Sequence, residues 1–146
     1  MDEIDLQILT LLGRDARRTY DDIGQRIGLS APAVKRRIDQ LRSSGALLGY
    51  TTVVDLEAQG FLIEAFVHLY YVPGARREDT VEVLRERPEI VEAWMVTGDA
   101  DAIAHVRVRD AGELEDLLFD LKQERVVERT KSEVVLSRMV MRGGPQ

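Results

Sequence analysis

Apolar residues in the first third of the chain recur at intervals of three and four positions, which is the period of an amphipathic helix. Three such runs are present, and they predict three helices. The first run follows Asp2, a residue suited to cap a helix, and consists of Ile4, Ile8, Leu11 and Leu12. This helix would pack against the two that follow and complete a small apolar core.

The second and third runs are joined by a tight turn with helix-boundary signals on either side. Thr19 can cap the second helix, Gly28 can end it, and Leu29 can fill the turn. Ser30 can cap the third helix, and Pro32 falls in its first turn, where a missing N–H costs little. The inward apolar residues of the two helices are Ile23, Ile27, Val34, Ile38 and Leu41. The pattern predicts a helix-turn-helix.

The face of the third helix opposite its apolar stripe carries Lys35 and Arg36, with Arg37 on the flank. A helix that is apolar behind and cationic in front, and that follows a tight turn, is suited to the major groove of DNA. The alternative is the solvated face of an ordinary helical hairpin, because Lys and Arg are common surface residues. The candidate DNA-contacting residues are Arg18, Thr19, Ser30, Pro32, Lys35, Arg36 and Arg37.

The distribution of charge favours DNA binding. The chain has a net charge of −6, but residues 14–42 hold eight basic residues and only four acidic ones. Residues 55–146 hold 12 basic and 19 acidic residues. Positive charge gathered on one motif can bind phosphates there while the acidic remainder repels them. A nonspecific architectural DNA-binding protein is a further alternative. Such binding depends on broad phosphate neutralisation, and the net charge of −6 argues against it.

After residue 60 the apolar pattern alternates between the periods of strands and helices. It predicts strands at 61–72, 90–97, 102–109 and 132–141, and helices at 78–87 and after Asp110. Asp110 and Glu113 resemble a capping box at the start of the second of these helices. The order βαββαβ is that of a ferredoxin-like sandwich, with helices on one face of an antiparallel sheet.

Residues 46–55 lie between the two patterns and are rich in β-branched and aromatic side chains. This composition predicts one or two short strands that serve as a wing or hinge. We therefore expect an α+β chain in three parts. These are a winged helix-turn-helix domain with its hinge strand at 1–54, a linker at 55–60, and a βαββαβ domain at 61–146.

The two faces of the predicted sheet differ in composition. On the third strand, small apolar residues (Ala102, Ala104, Val106, Val108) alternate with larger or charged ones (Ile103, His105, Arg107, Arg109). The first strand alternates in the same way, with Ala65, Val67, Leu69 and Tyr71 against Glu64, Phe66, His68 and Tyr70. The small set belongs beneath the helices. The mixed set is typical of a protein–protein interface, so we expect a homo-oligomer, with a half-solvated sheet as the alternative.

Composition excludes several classes of protein and site. The chain has no cysteine, and so no disulfide, thiolate metal site or cysteine nucleophile. The start, MDEID, lacks the basic region and apolar core of a signal peptide, and the longest apolar run, 61–72, is too short to span a bilayer. We expect a cytoplasmic protein without a membrane partner, a metal site or a cofactor.

From the first helix to the last strand, the chain resembles the Lrp/AsnC (feast/famine) transcriptional regulators. The segments that carry the resemblance are IDLQILTLLGRDARRTYDDIGQRIGLS, SAPAVKRRIDQLRSSGALLGYT, VEAWMVTGDADAIAHV and RTKSEVVLSRMV, in that order. The resemblance implies a sequence-specific regulator that binds double-stranded operator DNA, with a winged helix-turn-helix domain and a ligand-sensing βαββαβ domain. It also implies dimers that assemble into octamers, and an amino acid effector bound between dimers.

In such regulators the effector site is formed by segments that resemble two parts of this chain, the turn after the second strand and the start of the last strand. The matching residues are Thr97, Gly98, Asp99 and Asp101 in the turn, and Thr130 and Ser132 in the strand. Carboxylates can pair with the ammonium group of an amino acid, and hydroxyl groups can bind its carboxylate. Ala100 stands where many relatives carry a tyrosine, so we expect room for a bulky ligand side chain. The alternative is an acidic hairpin turn with no ligand.

An enzyme of the siroheme decarboxylase type is another alternative, because this chain resembles such enzymes in its two-domain architecture. Those enzymes use histidines in the half that corresponds to the sensing domain. His68 and His105 are the only histidines, and both belong to the mixed face of the sheet. Single histidines in an interface are more often hydrogen-bonded structural residues than catalytic ones. We therefore expect the chain not to be an enzyme.

Overall fold

The computed structural model describes residues 1–140 and begins with three helices, α1 (Glu3–Arg14), α2 (Tyr20–Ile27) and α3 (Ala31–Ser43). The chain divides into two units between Val53 and Val54. The second unit holds strands β1 (Ile63–Tyr71), β2 (Ile90–Met95), β3 (Ala102–Val108) and β4 (Val127–Val134), and helices α4 (Arg77–Arg85) and α5 (Ala111–Gln123). No helix within residues 1–140 is long and apolar enough to cross a membrane.

Helices α1 and α2 begin and end at the residues that their sequences mark. The carboxylate of Asp2 accepts the N–H of Asp5 at 2.9 Å, and the carboxylate of Asp5 accepts the N–H of Asp2 at 2.9 Å, which is a complete capping box. Thr19 Oγ1 accepts the N–H of Asp22 at 3.1 Å, and α2 ends at Gly28 with a φ of 73°. These local signals therefore position the first two helices.

The cap of α3 differs from the expectation. Ser30 stands at the cap position, but its hydroxyl makes no capping hydrogen bond. A capping side chain normally accepts from the second or third N–H of the helix, and Pro32 at the second position has none. The N–H at the third position, of Ala33, remains, but Ser30 does not bind it, so the first turn of α3 has no side-chain cap.

The apolar stripes of α1, α2 and α3 form one core, whose buried residues are Ile8, Leu12, Ile23, Val34, Ile38 and Leu41. Leu29 packs against this core from the turn, as expected. Gly24 is buried beneath the same turn, and its carbonyl accepts the N–H of Leu29 at 2.9 Å. A Cβ at Gly24 would overlap the carbonyl oxygen of Leu29, so the tight turn requires glycine at this position.

The strands form one antiparallel sheet in the order β2-β3-β1-β4. Ala65, Val67 and Leu69 of β1 lie opposite Val106, Ala104 and Ala102 of β3, and all six are buried. Leu114, Leu117 and Leu121 of α5 pack on them. The α+β class and the order of the βαββαβ elements are confirmed, with the small apolar residues on the helix face.

Two expected strands differ from the structure. Residues 46–55 form no strand, because a strand needs a partner for its backbone and no other part of residues 1–140 pairs with them. The last strand begins at Val127 rather than 132 and ends at Val134, and residue 141 of the expected strand lies outside the described residues. After Val127, which is buried, residues 128–131 are polar, as suits an edge strand, so this part of β4 lacks the apolar pattern of a buried strand.

The start of α5 is half of the expected capping box. Asp110 accepts the N–H of Glu113 at 2.9 Å. The carboxylate of Glu113 accepts the N–H of Arg109 at 2.6 Å instead of the N–H of Asp110. The reciprocal bond is thus moved one residue upstream, where the Arg109 guanidinium also binds Glu113.

Candidate nucleic-acid interface and effector site

The outward face of α3 presents cations in two different states. Lys35 Nζ lies 2.7 Å from Asp39 Oδ2, and this hydrogen bond raises the pKa of Lys35. Arg36 is exposed and makes no hydrogen bond or ion pair with any residue of the described part of the chain. Arg36 is therefore available to bind a phosphate or a base edge without first breaking an internal contact.

Arg37, the next residue, is engaged inside the unit. Its Nη1 lies 2.8 Å from Asp2 Oδ2 and 2.7 Å from Asp5 Oδ1, and its side chain is 24% exposed. These hydrogen bonds raise the pKa of Arg37, with the bond to Asp5 the larger cause. The charge of Arg37 is directed at the start of α1.

Arg18 and Thr19 lie at the start of α2, and both have local partners. Arg18 pairs with Asp22, which also accepts from Arg26 Nε at 3.0 Å, and the bond from Arg18 lowers the pKa of Asp22. Arg18 Nε is buried and has no hydrogen-bond partner among residues 1–140. The hydroxyl of Thr19 caps α2, and the residue is exposed.

The start of α3 can bind an anion. Ser30 and Pro32 are exposed, and with no side-chain cap the backbone N–H groups of Ala31 and Ala33 remain available. Free N–H groups at a helix N-terminus favour phosphate, because the helix dipole adds to their positive charge.

Arg17 belongs to the basic stretch 14–42 but was not among the DNA contacts expected from the sequence. Arg17, in the loop before α2, is exposed, and its side chain has no ion pair within residues 1–140. A spacing of four residues does not separate free from paired cations here. Arg18, Arg26 and Lys35 each pair with an aspartate four positions away. Arg17 has Asp21 at the same spacing but does not pair with it.

The turn between β2 and β3 is fixed to β1 by Asp101. Its carboxylate accepts the N–H of Tyr71 at 2.8 Å, and its own N–H donates to the carbonyl of Leu69 at 3.0 Å. The pairing of β1 with β3 ends at Leu69 and Ala102, so the N–H of Tyr71, two residues further along β1, gains its partner from this side chain. Gly98 has a φ of 139°, a conformation open to glycine. Asp101 thus supports the fold of the turn.

Asp99 lies on the mixed face beside two residues that sequence reasoning did not assign to a site. The Tyr70 hydroxyl donates to Asp99 Oδ2 at 2.6 Å, which raises the pKa of Tyr70. The guanidinium carbon of Arg129 lies 3.4 Å from the centre of the Tyr70 ring, in cation–π contact. Only the strand register brings Tyr70 and Arg129 together, so no sequence signal was available.

The structure does not bring all six expected effector residues together within one chain. Thr130 and Ser132 lie opposite Leu69 and Val67 and so face the helix side, whereas Asp99 is bonded to Tyr70 on the other face. They also occupy the middle of β4 rather than its start. Thr97 is exposed beside Gly98.

Ala100 is only 6% exposed. Its methyl group is enclosed by the domain itself rather than facing an open pocket. The expectation of room for a bulky ligand side chain at this position therefore loses its basis.

The two histidines share the mixed face, as expected, and each pairs with a glutamate. His105 Nε2 lies 2.7 Å from Glu64 Oε1, and His68 Nε2 lies 3.5 Å from Glu133 Oε2. Burial alone would raise the pKa of Glu64, but the bond with His105 and the charges of two arginines, Arg138 and Arg107, lower it. These contacts favour a structural role for both histidines.

Both halves of the chain match known protein families. Residues 1–42 match the AsnC-type helix-turn-helix domain, and residues 64–145 match the Lrp/AsnC ligand binding domain. The HTH-type transcriptional regulator Rv2324 of Mycobacterium tuberculosis is 42% identical to this chain, over 99% of this chain and 98% of its own length.

Two solved structures that contain L-methionine are similar along nearly their whole length. The feast or famine regulatory protein Rv3291c from M. tuberculosis, complexed with L-methionine, has a TM-score of 0.89 and 32% identity, and the match covers 96% of this chain and 95% of that one. The L-Met complex of the transcriptional regulator NMB0573 from Neisseria meningitidis has a TM-score of 0.91 and 25% identity, with coverage of 97% and 93%.

Proposed function

We propose a function for this chain from its membership of the Lrp/AsnC family of DNA-binding transcriptional regulators. In this proposal α3 binds a specific operator sequence, and a free amino acid controls that binding. The observation that carries the first part is Arg36, an exposed cation without an internal partner, close to the uncapped start of the same helix. A free cation and free N–H groups on one helix suit the edge of a base and a neighbouring phosphate.

The residues around Arg36 have complementary roles in this proposal. Lys35 leaves Asp39 and binds a phosphate of the DNA. Thr19, Ser30 and Pro32 lie where the DNA backbone passes the starts of α2 and α3. Arg17 and Arg18 add positive charge before α2. Phosphate contacts of this kind orient a helix in the groove, while the contact to a base edge supplies specificity.

The test replaces Arg36 by alanine and compares it with Arg77→Ala, which removes an exposed cation from α4 in the second unit. Binding is titrated on a duplex selected by the wild-type chain from random sequences and on an unselected duplex, at several salt concentrations. A base contact weakens binding to the selected duplex by about 1–3 kcal/mol. A phosphate contact weakens both duplexes alike and lowers the salt slope by about 0.9. Unchanged binding to both duplexes would contradict the placement of α3 in the major groove.

The effector part of the proposal rests on the turn at 96–101. Asp99 keeps one carboxylate oxygen beyond its bond to Tyr70, and this oxygen can accept from an α-ammonium group. Gly98 lets a ligand approach the backbone closely. Similar regulators have been solved with L-methionine, which supports an amino acid as the effector class.

Copies of the chain complete the effector site in this proposal, because Thr130 and Ser132 face away from Asp99 within one chain. The mixed face also leaves large apolar residues exposed, among them Phe66 and Trp94. We expect dimers as the minimum unit and octamers at higher concentration. Two recognition helices must also lie about 34 Å apart to reach successive turns of the major groove, which requires a dimer. Sedimentation at micromolar concentration that shows only a 16.5 kDa species would contradict this.

Calorimetry with L-methionine, followed by the other amino acids, tests the effector. Asp99→Asn should weaken binding by about tenfold or more, because a charge-assisted hydrogen bond is lost. Asp116→Asn, which removes an exposed carboxylate on α5, serves as the matched control. Equal affinity in Asp99→Asn and wild type would place the site elsewhere. If no amino acid gives a heat of binding, the effector proposal fails, and assembly remains the proposed role of the second unit.

A further inference from the structure

Arg37 follows Arg36 on α3, but its contacts join two helices. Nη1 of Arg37 lies 2.7 Å from Asp5 Oδ1 and 2.8 Å from Asp2 Oδ2. The other oxygens of the same carboxylates form the capping box: Asp2 Oδ1 accepts the N–H of Asp5, and Asp5 Oδ2 accepts the N–H of Asp2. Each carboxylate therefore uses one oxygen to start α1 and the other to hold α3.

This contact differs from the neighbouring ion pair of Lys35 in reach and in burial. Lys35 and Asp39 belong to one helix, and their side chains are 59% and 53% exposed, so their pair cannot orient α3 against anything. The side chains of Arg37 and Asp5 are 24% and 14% exposed and lie on different helices, whereas Asp2, the second partner of Arg37, is 54% exposed. Partly buried, charge-assisted hydrogen bonds are screened less by solvent, so they can hold a geometry that an exposed pair cannot.

We propose that Arg37 is a positioning residue. Its bonds to Asp2 and Asp5 hold α3 at a fixed angle on α1, and so determine how Arg36 meets DNA, while Arg37 itself makes no contact with DNA. This inference rests on the proposed role of α3 in the major groove. Without the contact, α3 samples several orientations, and the apparent affinity falls by the fraction of chains in the competent one.

A positioning role and a phosphate contact predict opposite results for Asp2→Ser. Serine caps a helix nearly as well as aspartate, so the N–H of Asp5 keeps an acceptor while Arg37 loses one carboxylate. If Arg37 binds phosphate, loss of this competing negative charge leaves DNA binding unchanged or makes it tighter. If Arg37 positions α3, the same substitution weakens binding although it makes the protein less acidic.

The experiment measures fluorescence anisotropy of the full chain on the selected duplex at several salt concentrations, with folding checked by circular dichroism. Asp2→Ser and Arg37→Ala should each weaken DNA binding and leave its salt slope unchanged. If one chain in ten of Arg37→Ala keeps the competent orientation of α3, its affinity falls by about tenfold. The double variant should bind no more weakly than Arg37→Ala, because both substitutions break one contact. If Arg37→Ala does not fold, Asp2→Ser alone carries the test.

Three results would overturn the proposal: equal or tighter binding by Asp2→Ser, a fall of about 0.9 in the salt slope of Arg37→Ala, or additive losses in the double variant. Arg36→Ala is measured beside them. If Arg36→Ala weakens binding and Asp2→Ser does not, the positioning role fails while the proposed function stands. If Arg36→Ala has no effect, α3 is not the recognition helix, and both fail.

Discussion

Replacing Gly24 by alanine sets two opposing effects against each other in the helix-turn-helix. Alanine favours a helix interior over glycine by about 1 kcal/mol. The new Cβ, however, would overlap the carbonyl oxygen of Leu29 and lie 3.3 Å from its carbonyl carbon. The obstacle is backbone, held by the 2.9 Å bond from the N–H of Leu29 to the carbonyl of Gly24, so it cannot rotate away as a side chain would.

The overlap should outweigh the gain in helix propensity. Overpacking a well-packed site costs typically about 1–3 kcal/mol, and a rigid obstacle belongs at the upper end of that range. We expect a net destabilisation of the first unit by roughly 1–2 kcal/mol, which is a fall in Tm of roughly 5–15 °C for a unit of this size. Gly13→Ala is the matched control, because Gly13 lies within α1, has no positive φ, and would place a Cβ with nothing within 4 Å. That substitution should stabilise the unit by up to about 1 kcal/mol.

The two units can be followed separately in the full chain. Hydrogen exchange of peptides from α1, α2 and α3 reports on the first unit, and fluorescence of Trp94, the single tryptophan, reports on the second. Gly24→Ala should speed exchange in α2 and α3 and leave the Trp94 transition in place. Exchange as slow as in Gly13→Ala would show that the turn does not approach Gly24 closely, and the reasoning would be refuted.

Three further substitutions test the second unit by denaturant unfolding followed through Trp94. Leu69→Ala removes a side chain that is 0% exposed and should cost about 2–5 kcal/mol, so a loss below 1 kcal/mol would contradict its place in the core. Asp110→Ala removes the cap on the N–H of Glu113 and should cost about 1 kcal/mol, whereas Asp110→Ser should restore most of it. The pKa of Glu64 is lower in the folded unit than its usual 4.5, because the bond with His105 and the arginine charges outweigh the effect of burial. Its contribution to stability is therefore present above about pH 4.5 and lost as pH falls through the folded pKa. Glu64→Gln should lessen that acid-induced loss, and identical pH slopes in variant and wild type would contradict the role of this carboxylate.

The family and the order of the elements could be predicted from the sequence because their signals are local. The capping residues Asp2 and Thr19 act on N–H groups three positions away, and Gly28 ends α2 through its own backbone. The apolar periods depend only on the geometry of one helix or strand. The ion pairs along α2 and α3 also follow a spacing of four, but Arg17 and Asp21 have the same spacing and do not pair, so spacing alone does not decide which pairs form.

Contacts between distant segments were decided by the tertiary structure alone. Arg37 lies on the flank of α3 in the sequence pattern and was expected to contact DNA, but packing of α3 on α1 brings it to Asp2 and Asp5. Asp101 looks like a solvated turn residue until the turn is placed beside Tyr71. The faces of Thr130 and Ser132 depend on the register of an edge strand, and a slip of one residue would reverse both. A local pattern specifies which elements form, whereas the partner of a charge or a strand depends on chain segments that only folding brings together.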